Sequence, residues 1–362
     1  MTHQRFYEID LFRFIAALMV VFFHYTYTGK MEGFTPAISF DKLREVSRYF
    51  YMGINFFFII SGFVILMSIQ DGSLKKFATS RFLRLFPAYW TAMIITYIMI
   101  IFWGGEKFSV TWLQFLANTT MLNNSIGIAP IDSAYWTLFI ELKFYLTIGI
   151  LMLFSKLKYL EHIIALALII SVVVLYLPYA LESDVFSNIF PHWGGYFATG
   201  CVFYLIRRDG LNIYRGILML LSLVFIIKQS ILFGSMMASW FSIEFNPVVI
   251  VAMNTIFFAI FSLIALKETN LFRYEKFQMF GVLTYPLYLI HQNFGYILFN
   301  TLGEYLNKYV LLFLNLSVML IIASLINYYV EKRITPLLKQ LLFKRQLFKG
   351  VFQPNEPISK QN

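Results

Sequence analysis

The side chains best suited to moving protons in this 362-residue chain lie inside its most apolar segments: Asp10, Arg13, His24, Glu141, Lys143, Lys228 and His291. A charge held in hydrocarbon costs about 2.5–3.5 kcal/mol on insertion scales, so such residues face a cavity or a partner. Arg13 and His24 stand eleven residues apart. At about 100° per residue they fall about 20° past three full turns, on one helix face, separated by about 16 Å along the axis. The bland account is a snorkelling Arg13 and an interfacial His24; two ionisable groups on one face favour a shared cavity. Asp10, three residues before Arg13, has the spacing to pair with the guanidinium and orient it. Glu141 lies in Ser133-Ala-Tyr-Trp-Thr-Leu-Phe-Ile-Glu141, and His291 ends Thr284-Tyr-Pro-Leu-Tyr-Leu-Ile-His291. Counted along their helices, both reach the depth of His24, and the three form the raw material of a proton relay or general base. A hydrogen-bonded structural histidine explains His291 as well as a chemical role does.

Two further groups carry weaker chemistry. Arg81 and Arg84, in Arg81-Phe-Leu-Arg84-Leu-Phe-Pro87, share a helix face just ahead of an apolar run, with Pro87 expected in its first turn. Paired guanidinium groups suit bidentate phosphate binding, and ordinary basicity at a cytoplasmic face explains them equally. Ser61-Gly62 sits within a Phe-rich run, where close helix packing is the simpler account and a Ser nucleophile would need a base beside it. No metal-ligand spacing, phosphate-cradling Gly loop or nucleophile elbow is present.

The elements that must hold these residues follow from composition. Hydrophobic residues make up 59% of the chain and charged residues 13%, against roughly 25% in ordinary globular domains. Mean hydropathy is +0.69. That much apolar surface needs lipid as its solvent, so the fold class is an all-α polytopic bundle. Runs long enough to cross fall near 9–28, 50–69, 86–103, 134–154, 161–181, 192–207, 212–233, 247–267, 277–299 and 309–330, about ten spans. Of 29 Lys and Arg, 20 fall in one alternating set of loops and termini, 6 in the other and 3 within spans. The positive-inside rule then makes both termini cytoplasmic, and the net charge of +10 points to that membrane face rather than to nucleic acid. The first span, with Arg13 and His24 in its core, does not read as a cleavable signal. The membrane unit occupies 1–335, and 336–362 is expected to be a basic, disordered cytoplasmic tail. Cys201 is the single cysteine, which excludes an internal disulfide.

Taken in order, the segments resemble the acyltransferase-3 family of integral membrane acyltransferases over residues 5 to 335. They are Ile9-Asp10-Leu-Phe-Arg13 through His24, the Phe-rich Ser61-Gly62-Phe run, Arg81-x-x-Arg84, Trp136-x-x-x-x-Glu141-x-x-Phe-Tyr145 and Tyr285-x-x-x-x-x-His291. The resemblance implies transfer of an acyl group, commonly acetyl, from cytoplasmic acyl-CoA as co-substrate to a hydroxyl, with no bound cofactor or metal. The implied acceptor is a carbohydrate or lipid-linked glycan of surface polysaccharide or lipopolysaccharide, and the implied location is the bacterial inner membrane. His24, Arg13 and Glu141 fall on the family's catalytic positions and Arg81 and Arg84 on its acyl-CoA-binding motif. Supporting positions are Asp10, Ser61, Trp136, Tyr285 and His291. The chain departs from the family at Asn55, where Asp is common, at Thr137, where Ser is usual, and at Glu331-Lys-Arg-Ile-Thr-Pro336, which spaces Glu and Pro widely.

The expected mechanism sets CoA phosphates on Arg81 and Arg84, threads the thioester past Arg13, and uses His24, oriented by Glu141, to deprotonate the acceptor; an acyl-His24 intermediate is the variant. The rival class is a proton-coupled transporter or flippase, which uses similar intramembrane residues but carries paired repeats and broken helices.

Overall fold

The computed structural model describes residues 6–69, 73–176, 193–267 and 274–342, which are helical and loop segments without strands. The long helices are α1 (Tyr7–Phe23), α2 (Gly53–Ser68), α3 (Leu74–Trp103), α4 (Trp136–Leu153), α5 (Leu160–Val174), α6 (Gly194–Asp209), α7 (Ile213–Phe241), α8 (Pro247–Ala265), α9 (Gln278–Ile290), α10 (Gln292–Leu302) and α11 (Lys308–Leu325). Among the described residues, 8 helical stretches are long and apolar enough to cross a membrane. The two remaining expected spans correspond to α6, only 16 residues long, and to the α9–α10 pair, which breaks at His291.

Small residues let the central helices meet. A Cβ on Gly62 of α2 would stand 2.0 Å from the Phe197 carbonyl oxygen, and one on Gly200 of α6 the same 2.0 Å from that of Ile59. The two backbones therefore touch, and Gly62 belongs to packing as its sequence context suggested. Gly281 of α9 leaves similar room for the Asp10 carboxylate of α1.

Three boundaries differ from expectation. The arginine pair lies within α3 rather than ahead of it, because Ser73 caps the helix by accepting from the Lys76 N–H. Pro87 is consequently interior, not in a first turn. A bundle tolerates this because groups around the helix can re-satisfy the carbonyl that the missing Pro87 N–H leaves free. Finally, the last helix runs on through Leu342, so 336–342 is ordered helix rather than tail; 343–362 lies outside the described residues.

Two stretches widen into π-helix, His24–Thr28 after α1 and Ile326–Ile334 after α11. Such turns are rare and concentrate at functional sites.

Candidate active site

His24 opens the first π stretch and meets His291 at the break between α9 and α10, with His24 Nδ1 and His291 Nε2 2.8 Å apart. The direction of this contact follows from its far end. His291 Nδ1 lies 2.7 Å from the Tyr288 carbonyl oxygen, which accepts only, so that nitrogen carries a proton. In the neutral ring Nε2 is then an acceptor, and His24 must donate from Nδ1. The lone pair of His24 is thereby placed on Nε2, where a base or nucleophile is needed. The Tyr25 hydroxyl donates to the His291 carbonyl at 2.8 Å and fixes the break from a second side.

Glu141 does not join this pair. Its Oε1 accepts from Ser61 Oγ at 3.1 Å and from the Tyr145 hydroxyl at 2.6 Å. The expectation that Glu141 orients His24 is therefore corrected: a carboxylate on α4 points at α2 and its own next turn, and His291 does the orienting.

A line of cavities connects these groups. At the end rich in Lys and Arg a cavity of about 800 Å³ is lined by Lys76, Arg81, Arg84, Lys332 and Lys339, with Glu331 among them. It adjoins a chamber of about 160 Å³ that shares Arg81 and Arg84 and adds Arg13, Ser61, Glu141, Tyr145 and Tyr285. Three guanidinium groups against one carboxylate leave this chamber set for an anion. Beyond it, Glu141, Tyr285 and Phe57 also border an apolar neck of about 20 Å³. Ile54 is the wall residue this neck shares with a far cavity of about 690 Å³ that holds His24 and is walled by Trp136, Trp193, Trp240, Phe34 and Tyr51. Both large cavities match the size of small-molecule sites.

The remaining expected residues are distributed along this line. Asp10 packs on Gly281 beside it. Arg13 sets its guanidinium over the Phe57 ring, 5.5 Å from the centroid, and Arg84 lies 5.5 Å from that of Tyr285. The Tyr285 hydroxyl donates to the Leu85 carbonyl at 3.1 Å, tying α9 to α3. Trp136 packs on Trp193 with ring centroids 5.3 Å apart. Arg13 and His24 thus share a face but occupy different chambers, one on each side of the neck.

Residues of all five motifs line these cavities or touch a residue that does. The family model described as "Acyltransferase domain" matches residues 6–329. The chain belongs to the acyltransferase-3 family. Among curated proteins, "Nodulation protein 10" of Rhizobium leguminosarum bv. viciae is 28% identical over 166 residues, covering 40% of this chain and 44% of the relative. The alignment therefore spans less than half of that relative's length. No solved structure matches. With 8 helical stretches long and apolar enough to cross a membrane among its described residues, the chain is an integral membrane member of that family.

Three contributors escaped the sequence reading. Tyr145 bonds Glu141 from one helical turn on, a spacing visible in Glu141-x-x-x-Tyr145. Glu331 pairs with Arg84 at 3.0 Å, although its segment had suggested no role. Asp132 ties the turn before α4 to the first turn of α10, accepting from the Ala134 and Asn293 backbone N–H groups at 2.9 Å each. Burial raises the Asp132 carboxyl to about 6 against those bonds.

Proposed function

We propose that this acyltransferase takes an acyl group, acetyl in the simplest case, from cytoplasmic acyl-CoA and passes it to a carbohydrate hydroxyl presented in the aromatic cavity. The observation that carries the reading is the succession of cavities, each sharing wall residues with the next, from a basic cavity past an arginine chamber and a small apolar space to a histidine with a free lone pair. The Lys- and Arg-rich end faces the cytoplasm under the positive-inside rule, where the donor is made. CoA phosphates sit on Arg81 and Arg84 as bidentate partners, and Lys76, Lys332 and Lys339 add charge around the nucleotide. The unbranched end of the pantetheine arm extends past Arg13, so the thioester arrives beside His24.

The acceptor packs its C–H faces on Trp136, Trp193 and Trp240 and brings a hydroxyl to His24 Nε2. Nε2 takes the hydroxyl proton as the oxygen attacks the thioester carbonyl. Collapse of the tetrahedral intermediate expels the CoA thiolate, which takes the proton back from His24. His291 accepts from Nδ1–H throughout and stabilises the transient imidazolium. A positioned base supplies about 10²–10⁴-fold, and orientation of the two substrates supplies much of the rest. The acceptor in this reading is a surface polysaccharide or lipopolysaccharide precursor in a bacterial inner membrane, consistent with family membership.

The test is acetyl-CoA binding and turnover by detergent-purified protein, wild type beside His24→Ala and the Arg81→Ala/Arg84→Ala pair. Turnover lost in both variants, with binding lost only in the arginine pair, is the expected result. Well-folded wild type that neither binds nor consumes acetyl-CoA, yet carries proton-coupled flux in liposomes, would replace this reading with the transporter.

A further inference from the structure

The neck between the arginine chamber and the His24 cavity is the narrowest point on the path, with free space of about 20 Å³, room for about one water molecule. Its walls are mostly apolar side chains from four helices, Val20 of α1, Ile54 and Phe57 of α2, Leu138 of α4 and Tyr288 of α9, with Glu141 and Thr137 of α4 also on its lining. Two of these are held in place. The Tyr288 hydroxyl donates to the Ala134 carbonyl at 3.0 Å and lies 2.7 Å from the Thr137 hydroxyl. The Phe57 ring stacks on Tyr288 with centroids 6.1 Å apart and carries the Arg13 guanidinium above it. A pinned ring cannot swing aside without breaking a buried hydrogen bond. The ring walls of the neck are therefore held, and its yielding parts are the aliphatic walls.

We infer that this neck is a width filter on the acyl group. The inference rests on the proposed acyl-CoA donor and goes beyond it by naming which acyl groups pass. The end of the donor arm that leads to the thioester is an unbranched chain, and a linear acyl group continues it with the same cross-section. Whatever opening admits the arm also admits an unbranched acyl chain. A branch next to the carbonyl adds a methyl group across the path, where the pinned rings stand on one side and packed aliphatic walls on the other. Overpacking of that kind is what a close-packed interior resists most strongly. The same dryness keeps water from crossing between the chambers and from reaching the thioester by the donor's route.

Butyryl-CoA and isobutyryl-CoA test this directly, because their acyl groups have the same atoms and differ only in the branch. Membrane vesicles containing the protein, which retain the native acceptor, are supplied with radiolabelled acetyl-, butyryl- or isobutyryl-CoA, and incorporated label is measured against vesicles lacking the protein. Wild type is expected to transfer butyryl at least about tenfold faster than isobutyryl, the discrimination one misplaced methyl commonly gives. Val20→Ala and Leu138→Ala enlarge the neck from two different helices, and each is expected to raise the isobutyryl-to-butyryl ratio by about tenfold. Equal wild-type transfer of the two isomers would overturn the filter, and this comparison needs no variant to fold. An unchanged ratio in variants that still transfer acetyl would overturn it too. Transfer of acetyl alone, with both four-carbon groups refused, would mark a limit on length instead. No incorporation from any thioester would remove the acyl-CoA reading itself, and the filter with it.

Discussion

At the scale of single residues, the reactive nitrogen is decided by a backbone carbonyl two steps away. Tyr288 O fixes the proton on His291, His291 fixes the proton on His24, and Nε2 is left with the lone pair that the proposed transfer uses as its base. Replacing His291 with Phe keeps an aromatic ring in the break but removes the acceptor. Steady-state kinetics of His291→Phe should show kcat down by about 10–100-fold, less than the full general-base contribution, with KM for the donor little changed. An equal rise in KM with kcat intact would assign His291 to substrate binding instead. Asp132 offers a residue-scale check through pH. Its carboxyl, raised to about 6, favours the protonated form when folded. Its stabilising contribution is therefore present below the unfolded value near 4 and is lost as pH rises through about 6. Thermal unfolding in detergent should show wild type losing stability relative to Asp132→Asn across that window; parallel curves would count against it.

Among elements, the two π stretches and the α2–α6 crossing do the positioning. The turn at Ile326–Ile334 brings Glu331 to Arg84, and Asn327 donates to the other carboxylate oxygen. Arg84 lines both the basic cavity and the inner chamber, so its guanidinium is held where the proposed donor would pass. Glu331→Gln and Arg84→Lys, singly and together, should raise the donor KM non-additively, with a coupling of about 1 kcal/mol for a partly exposed pair. Strict additivity would mean that the contact does not act on the donor. At the crossing, Gly200→Ala drives a methyl into the Ile59 carbonyl. A loss of about 1–3 kcal/mol or more is expected, read as a lower unfolding temperature and a lower yield of monodisperse protein. The conservative exchange at Gly194, whose added Cβ would meet nothing within 4 Å, serves as the control.

For the whole molecule, the line of cavities makes a two-sided prediction. Lys76 belongs to the basic cavity and Trp240 to the aromatic one. Single cysteines placed at those positions should react with a membrane-impermeant thiol reagent from opposite faces of sealed vesicles. Buried Cys201 supplies little background. Labelling of both from one face would break the arrangement on which transfer across the neck depends.

The sequence by itself determined the solvent, the helical class and the cast of ionisable residues, because apolar length and the cost of intramembrane charge are properties of composition and spacing. It also carried the family, through five short motifs in a fixed order. Arg13 and His24 could be put on one face by arithmetic alone, since both lie on one helix. What it could not give was any pairing between helices. Glu141 and His291 reach similar depths, yet which of them meets His24 depends on helix rotation and on the break at His291, and neither has a local signal. Glu331 was invisible for the same reason: its partner lies 247 positions away and is reached only because the last helix widens into a π turn. The neck, too, exists only in three dimensions. Its walls come from four helices, and as residues in a chain Val20, Ile54, Phe57, Leu138 and Tyr288 are indistinguishable from the apolar side chains around them.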